Sequence, residues 1–61
     1  MKMRHIVKLR SGANKVYDFH TKAESNKALD NALTLNKTFN TIKCIWVKPI
    51  NKPWLKKRID L

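Results

Sequence analysis

Residues 3–10 alternate, with Met3, His5, Val7 and Leu9 on one side and Arg4, Ile6, Lys8 and Arg10 on the other. A period of two is that of an extended strand, here with one apolar and one basic face. Ser11-Gly12-Ala13-Asn14 is a turn cluster that holds the only glycine of the chain. Residues 15–20 alternate again, Tyr17 and Phe19 against Val16, Asp18 and His20. Two alternating runs about a tight Gly/Asn turn predict a β-hairpin. A three-residue loop, Gly12-Ala13-Asn14 with Asn14 left-handed, would set Leu9 opposite Tyr17 and Val7 opposite Phe19. The same register sets Lys8 opposite Asp18 as a cross-strand ion pair.

The period then lengthens. Thr21-Lys22-Ala23-Glu24 has the form of a capping box, with Thr21 as N-cap and Glu24 three residues on. A helix is expected from there to about Asn36. Ala28, Leu29, Ala32 and Leu33, with Ser25 one turn earlier, make a narrow stripe suited to one sheet face. Lys22, Lys27, Asp30 and Asn31 take the other side, which leaves the helix close to charge-balanced. Residues 36–41 read as a polar connector anchored by Phe39.

From residue 41 to 48 the period of two returns. Ile42, Cys44 and Trp46 alternate with Lys43, Ile45 and Val47, so both faces of this strand are largely apolar. That suits a central or partly covered strand. Either set can face the helix. Placing Trp46 in the core is the preferred reading, because large aromatics are mostly buried. If Ile45 and Val47 face the helix instead, Trp46 stands beside the Arg4/Lys8 stripe like a stacking platform. Pro49 ends the strand, since proline cannot donate to a ladder. Pro53 suits the first position of a short helix, with Leu55 and Ile59 facing inward. A fourth strand over the same residues is the alternative to this helical or irregular tail.

These elements make an α+β fold: a small ββαβ sheet with one helix packed on one face and a short basic C-terminal tail. The chain reads as a single small domain, 1–61, with its core in 3–48 and its tail in 49–61. A chain of this size buries only about 60% of its unfolded surface. Staples are absent: Cys44 is the sole cysteine, and with His5 and His20 it cannot furnish a four-ligand zinc site. Cys44 reads as a small buried hydrophobe and the histidines as structural, and no cofactor or metal is expected. No apolar run is long enough to span a bilayer, and the start MKMRHIVKLR lacks a signal-peptide apolar region. With an unpaired cysteine, that leads to an expectation of a cytoplasmic protein.

Charge sharpens the picture. Fourteen Lys and Arg stand against four Asp and Glu, a net charge of +10. Such a body repels itself, and an anionic partner relieves the strain. Eleven of these cations are Lys, and Asn is abundant, so A-rich codons account for part of the excess. Drift of that kind does not explain the scarcity of acids. The cations fall into two groups: the stripe Arg4, Lys8 and Arg10, and a C-terminal cluster of Lys48, Lys56, Lys57 and Arg58 beside Trp54. Cations with an interleaved aromatic are the composition of a nucleic-acid contact, where a ring stacks a base and cations meet phosphates. The tail would also suit an anionic membrane surface. The plainer readings are a solvated outer face whose lysines guard a sheet edge, and Trp54 and Leu55 closing the core.

No P-loop, dinucleotide-binding glycine pattern, nucleophile elbow or paired catalytic carboxylates are present, so an enzyme is not expected. The motifs of common RNA-binding modules and zinc fingers are missing too. In size, lack of linkers, codon bias and ββαβ order, the chain resembles small early proteins of bacteriophages. That resemblance of general form implies a protein that binds a host factor, in a host cytoplasm. The leading expectation is a small non-enzymatic nucleic-acid binder, RNA or single strands favoured, contacting phosphates through Arg4, Lys8, Arg10, Lys56, Lys57 and Arg58. The alternative is an inhibitor or adaptor that docks on an acidic host protein such as a nuclease, polymerase or defence effector. A homodimer through an exposed strand edge is compatible with either role.

Overall fold

The computed structural model describes residues 1–61. Its strands are β1 (Met3–Leu9), β2 (Asn14–Phe19), β3 (Ile42–Pro49) and β4 (Lys57–Asp60), with a helix α1 (Lys22–Phe39) between β2 and β3. They form one antiparallel sheet in the order β2-β1-β3-β4. β1 and β3 are the two inner strands, each hydrogen-bonded on both edges, as the two apolar faces of β3 suggest. α1 lies on one face and leaves the other bare of helix.

The hairpin turns two residues earlier than the sequence suggests. The Leu9 N–H donates to the Ala13 carbonyl (2.9 Å) and the Gly12 N–H to the Leu9 carbonyl (3.0 Å). The loop is therefore Arg10-Ser11-Gly12, with Gly12 left-handed at φ 94°. Glycine takes that conformation without a Cβ clash, so it outcompetes Asn14 for the position. The register moves with it: Arg4 opposes Asp18, His5 opposes Tyr17 and Val7 opposes Lys15. The displacement is even, so each residue keeps its face. What changes is the partner of Asp18, which pairs with Arg4 and not with Lys8.

α1 begins as the capping box requires, with Thr21 Oγ1 accepting from the Glu24 N–H at 3.1 Å. It runs three residues beyond the expected end, through Phe39, and stops at Asn40 in the left-handed region (φ 50°). Asn is one of the few residues that adopt this cap readily. Asn36 stays inside the helix, where its Oδ1 accepts from the Ile42 N–H at 2.9 Å and anchors the turn into β3. Phe39 is no anchor: it is 67% exposed.

β3 carries an irregularity that the alternation hides. Lys8 opposes Cys44 but Leu9 opposes Ile42, which leaves Lys43 as the extra residue of a bulge. The phase of β3 switches there. Ile42, Ile45, Val47 and Pro49 face the helix, while Cys44, Trp46 and Lys48 face away. The expected placement of Trp46 in the core is thereby corrected.

After β3, Pro53 opens a 3₁₀ turn (Pro53–Leu55) at its first position. The expected helical or irregular tail holds for this turn only. Lys57–Asp60 pairs with β3 as a fourth strand, Ile59 opposite Ile45. The free backbone edge of β3 offers Lys57–Asp60 a ladder of partners that an irregular tail would leave to water. Trp54 and Leu55 do not close the core. Both are exposed.

The core is small: Met3, Val7, Ile45 and Pro49 are its buried apolar side chains on the helix side. A polar pair sits among them. His5 Nε2 and Ser25 Oγ are 2.7 Å apart and both are buried. The His5 ring also packs on Phe19, with centroids 4.6 Å apart. This contact ties the first turn of α1 to β1. Each partner satisfies the other, which removes the cost of burying either one alone.

Two predictions follow from these contacts. Burial holds the His5 imidazole below its ordinary value. The unfolded chain then takes up a proton below pH 6.5 that the folded chain refuses, so stability present above that pH is lost as pH falls. Urea denaturation from pH 7 to 5 is expected to show this loss, with His5→Gln flattening the profile. At the turn, a Cβ on Gly12 would meet nothing within 4 Å, so the cost of substitution is conformational alone. Gly12→Ala is expected to lower the unfolding free energy by about 1–2 kcal/mol, and Gly12→Asn by less.

Candidate nucleic-acid interface

The sheet face without the helix is built from the alternate residues of all four strands. Three rows of side chains cross it. Asp18, Arg4 and Lys48 form one row, Val16, Ile6, Trp46 and Arg58 the next, and Asn14, Lys8, Cys44 and Asp60 the third. The middle row is apolar from β2 to β3. The rows on either side of it carry cations.

Trp46 is the focus of this face. The Lys56 ammonium lies 5.1 Å from its ring centroid and the Arg58 guanidinium carbon 5.7 Å. Both are within the range of a cation–π contact. The tail and the third strand therefore meet here, and the cations of residues 56 and 58 are held over an aromatic ring by geometry. Cys44 beside it is only 2% exposed although it faces outward, since a small side chain lies low among longer neighbours.

The cations differ in how free they are. The Arg4 Nε and Nη2 donate to the two carboxylate oxygens of Asp18 at 2.7 and 3.1 Å. The Arg4 hydrogen bond, with its charge and that of Lys2, holds the Asp18 carboxyl below its usual range. The Arg58 Nε donates to Asp60 Oδ1 at 2.8 Å. Lys8, Lys48 and Lys56 make no ion pair. Lys8 opposes Cys44, and Lys48 lies four residues further along β3, which puts the two backbone positions about 14 Å apart. Trp46 and Ile6 lie between them.

Of the residues expected to bind, the fold brings Arg4, Lys8, Lys48, Lys56 and Arg58 to this face. It does not bring the others. Arg10 sits in the hairpin turn, where Nε donates to Asn40 Oδ1 and Nη2 to the Leu61 carbonyl, each at 3.2 Å. It fastens the end of α1 and the end of β4 to the turn. Lys57 opposes Val47 and so points to the helix side. Trp54 stands on the 3₁₀ turn, 71% exposed and outside the three rows. Trp46, Ile6 and Val16 complete the face. The bulge at Lys43 concealed Trp46, whereas Ile6 and Val16 were already visible in the alternation as apolar positions within a basic stripe.

Five cations against two carboxylates leave the face net positive. His, Cys, Asp and Glu side chains gather nowhere in threes. No helix is long and apolar enough to cross a membrane. No protein-family model, curated protein or solved structure matches this chain.

Proposed function

We propose that the helix-free sheet face binds single-stranded nucleic acid, RNA in preference, without catalysis. The observation that carries this reading is Trp46, an aromatic ring on an uncovered sheet with cations arranged around it. A base stacks on the ring in place of the Lys56 ammonium, which swings to a phosphate. Stacking is sequence-tolerant, because every base has a π-face. Lys8 and Lys48, on either side of the apolar row, take phosphates at the two ends of the contact. The two arginines are held in orientation by Asp18 and Asp60 and retain guanidinium N–H groups for further contacts.

A rigid duplex would meet this face poorly. It is a sheet surface of modest width, with no helix to enter a major groove. A single strand can splay a base onto Trp46 and track its backbone across the rows.

Binding of a fluorescein-labelled twelve-residue oligouridylate, followed by anisotropy, tests the proposal. With five cations engaged, the log–log salt slope is expected near −3.5. Trp46→Leu should weaken binding by about tenfold or more, with Trp46→Phe recovering most of it. Lys8→Gln and Lys48→Gln should each flatten the salt slope by about 0.7. Lys57→Gln, on the opposite face, should leave the affinity within about twofold of the parent, since the screened charge of a distant lysine adds little. A flat salt dependence, or equal loss at Lys57 and Lys8, would refute this reading. Pull-down of one acidic protein that survives nuclease treatment and competes with the oligonucleotide would assign the face to a protein.

A further inference from the structure

On the other side of the sheet, α1 is a diagonal lid that covers only part of the surface. It starts beyond the Phe19 end of β2 and finishes beside Ile42 at the start of β3, so its second half moves away from β2. The divergence opens an apolar groove of about 650 Å³. Tyr17 and Lys15 of β2 form one wall, Ala28, Leu35 and Phe39 of α1 the other. Tyr17, Leu35 and Phe39 are all exposed, an unusual concentration of large apolar side chains for so small a chain.

The groove adjoins an open backbone edge. β2 pairs with β1 alone, so its other side has no strand. The Leu9-to-Ala13 hydrogen bond sets the alternation along the hairpin ladder. Lys15, Tyr17 and Phe19 bond inward to β1, and the N–H and C=O groups of Val16 and Asp18 aim outward. This edge carries no proline and no bulge, and it is six residues long. The opposite edge, β4, is four residues long and begins Lys57-Arg58, the short charged form that discourages pairing. Only β2 is left receptive.

We propose that β2 accepts an acidic, extended segment of a partner protein as a fifth strand, whose alternate apolar side chains drop into the groove. The two features fit one occupant. A strand paired to Val16 and Asp18 presents every second side chain on the helix side, next to Tyr17 and toward the groove that Leu35 and Phe39 line from its far wall. Backbone hydrogen bonds supply the affinity and the groove supplies the selection. The charge of the segment follows from the surface its other side chains meet. With the apolar ones in the groove, the acidic ones lie on the bare-face side, where five cations stand against two carboxylates on a chain of net charge +10.

A second copy is the poorer occupant. Antiparallel pairing of β2 with itself about a two-fold axis keeps faces matched only in alternate registers. Centred on Tyr17, those registers set Lys15 against Phe19 and Val16 against Asp18. Centred on Val16, they set Lys15 against Tyr17. None brings opposite charges together, and two bodies of +10 meet at the seam.

The test uses a blocked octapeptide of alternating valine and glutamate, with a valine–lysine counterpart as control. Both are titrated into the isotopically labelled full chain and followed by NMR. Binding of the acidic peptide should shift Asn14–Phe19 together with Leu35 and Phe39, leave Trp46 unmoved, and slow amide exchange at Val16 and Asp18. Val16→Pro removes an outward N–H without breaking a bond to β1, and should weaken binding by about tenfold or more at unchanged circular dichroism. Phe39→Ser, at an exposed position of the groove wall, should weaken it similarly and does not depend on Val16→Pro folding. The proposal is overturned if the lysine peptide binds equally well, or if the shifts fall on the Trp46 face. It is equally overturned if both variants bind like the parent, or if sedimentation shows a dimer with Val16 and Asp18 already protected. Phe39 lies outside the oligonucleotide face, so with Phe39→Ser loss of peptide binding leaves oligonucleotide binding measurable.

Discussion

β1 is hydrogen-bonded along both edges, and its two-residue alternation is imposed on the whole sheet. Met3, His5, Val7 and Leu9 define the covered face, and Arg4, Ile6 and Lys8 the bare one. Each neighbour must match this division, since a slip by one residue would exchange faces. β2 does so through an even displacement of register. β3 does so only by spending a residue, Lys43, in a bulge. Without that bulge Ile42 and Ile45 could not both face the helix. Trp46 stands on the bare face because the bulge allows Ile45 and Val47 to follow the phase of β1.

The turn has an electrostatic consequence far from itself. Placing Gly12 in the left-handed position brings Arg4 opposite Asp18 and leaves Lys8 without an acid. The outer face then has arginines held by carboxylates and lysines that are free. Arg10, which alternation alone assigns to the stripe, is drawn into the loop and used to clasp Asn40 and Leu61. Two of the three arginines thus have structural partners on the bare face, and the third is a fastener. The lysines of this face are the charges without a carboxylate partner.

The helix is held mainly at its start. The buried His5–Ser25 hydrogen bond and the Thr21 cap secure its first turns, and Asn36 and Asn40 manage its exit. Between them α1 crosses the sheet on a diagonal, with Ala28 and Ala32 as its contact residues on the groove side. Small side chains there leave the space before β2 unfilled. So few large groups are buried that the surface keeps two distinct apolar regions, the Trp46 row outside and the Tyr17–Phe39 groove within. Their chemistry differs: cations surround the first, whereas an open backbone edge adjoins the second. A short chain can in this way present two separate surfaces on opposite sides of one sheet.

Local patterns in the sequence determined the hairpin strands, the Thr21 cap, the stripe of α1 and the opening proline of the 3₁₀ turn. Each rests on contacts between residues near in the chain, where periodicity and capping act directly. The α+β character and the division of β1 into a basic and an apolar face belong to the same class. The tertiary structure alone decided that β3 pairs with β1, that Lys57–Asp60 pairs with β3, and that Trp46 faces outward. These depend on hydrogen-bond partners from distant segments and on a bulge, which leaves no trace in a short run where both faces are apolar. The candidate site divided the same way. Arg4 and Lys8 were legible because alternation places them. Arg10, Lys57 and Trp54 were misplaced because a turn, a strand edge and a tail take their orientation from what they pack against.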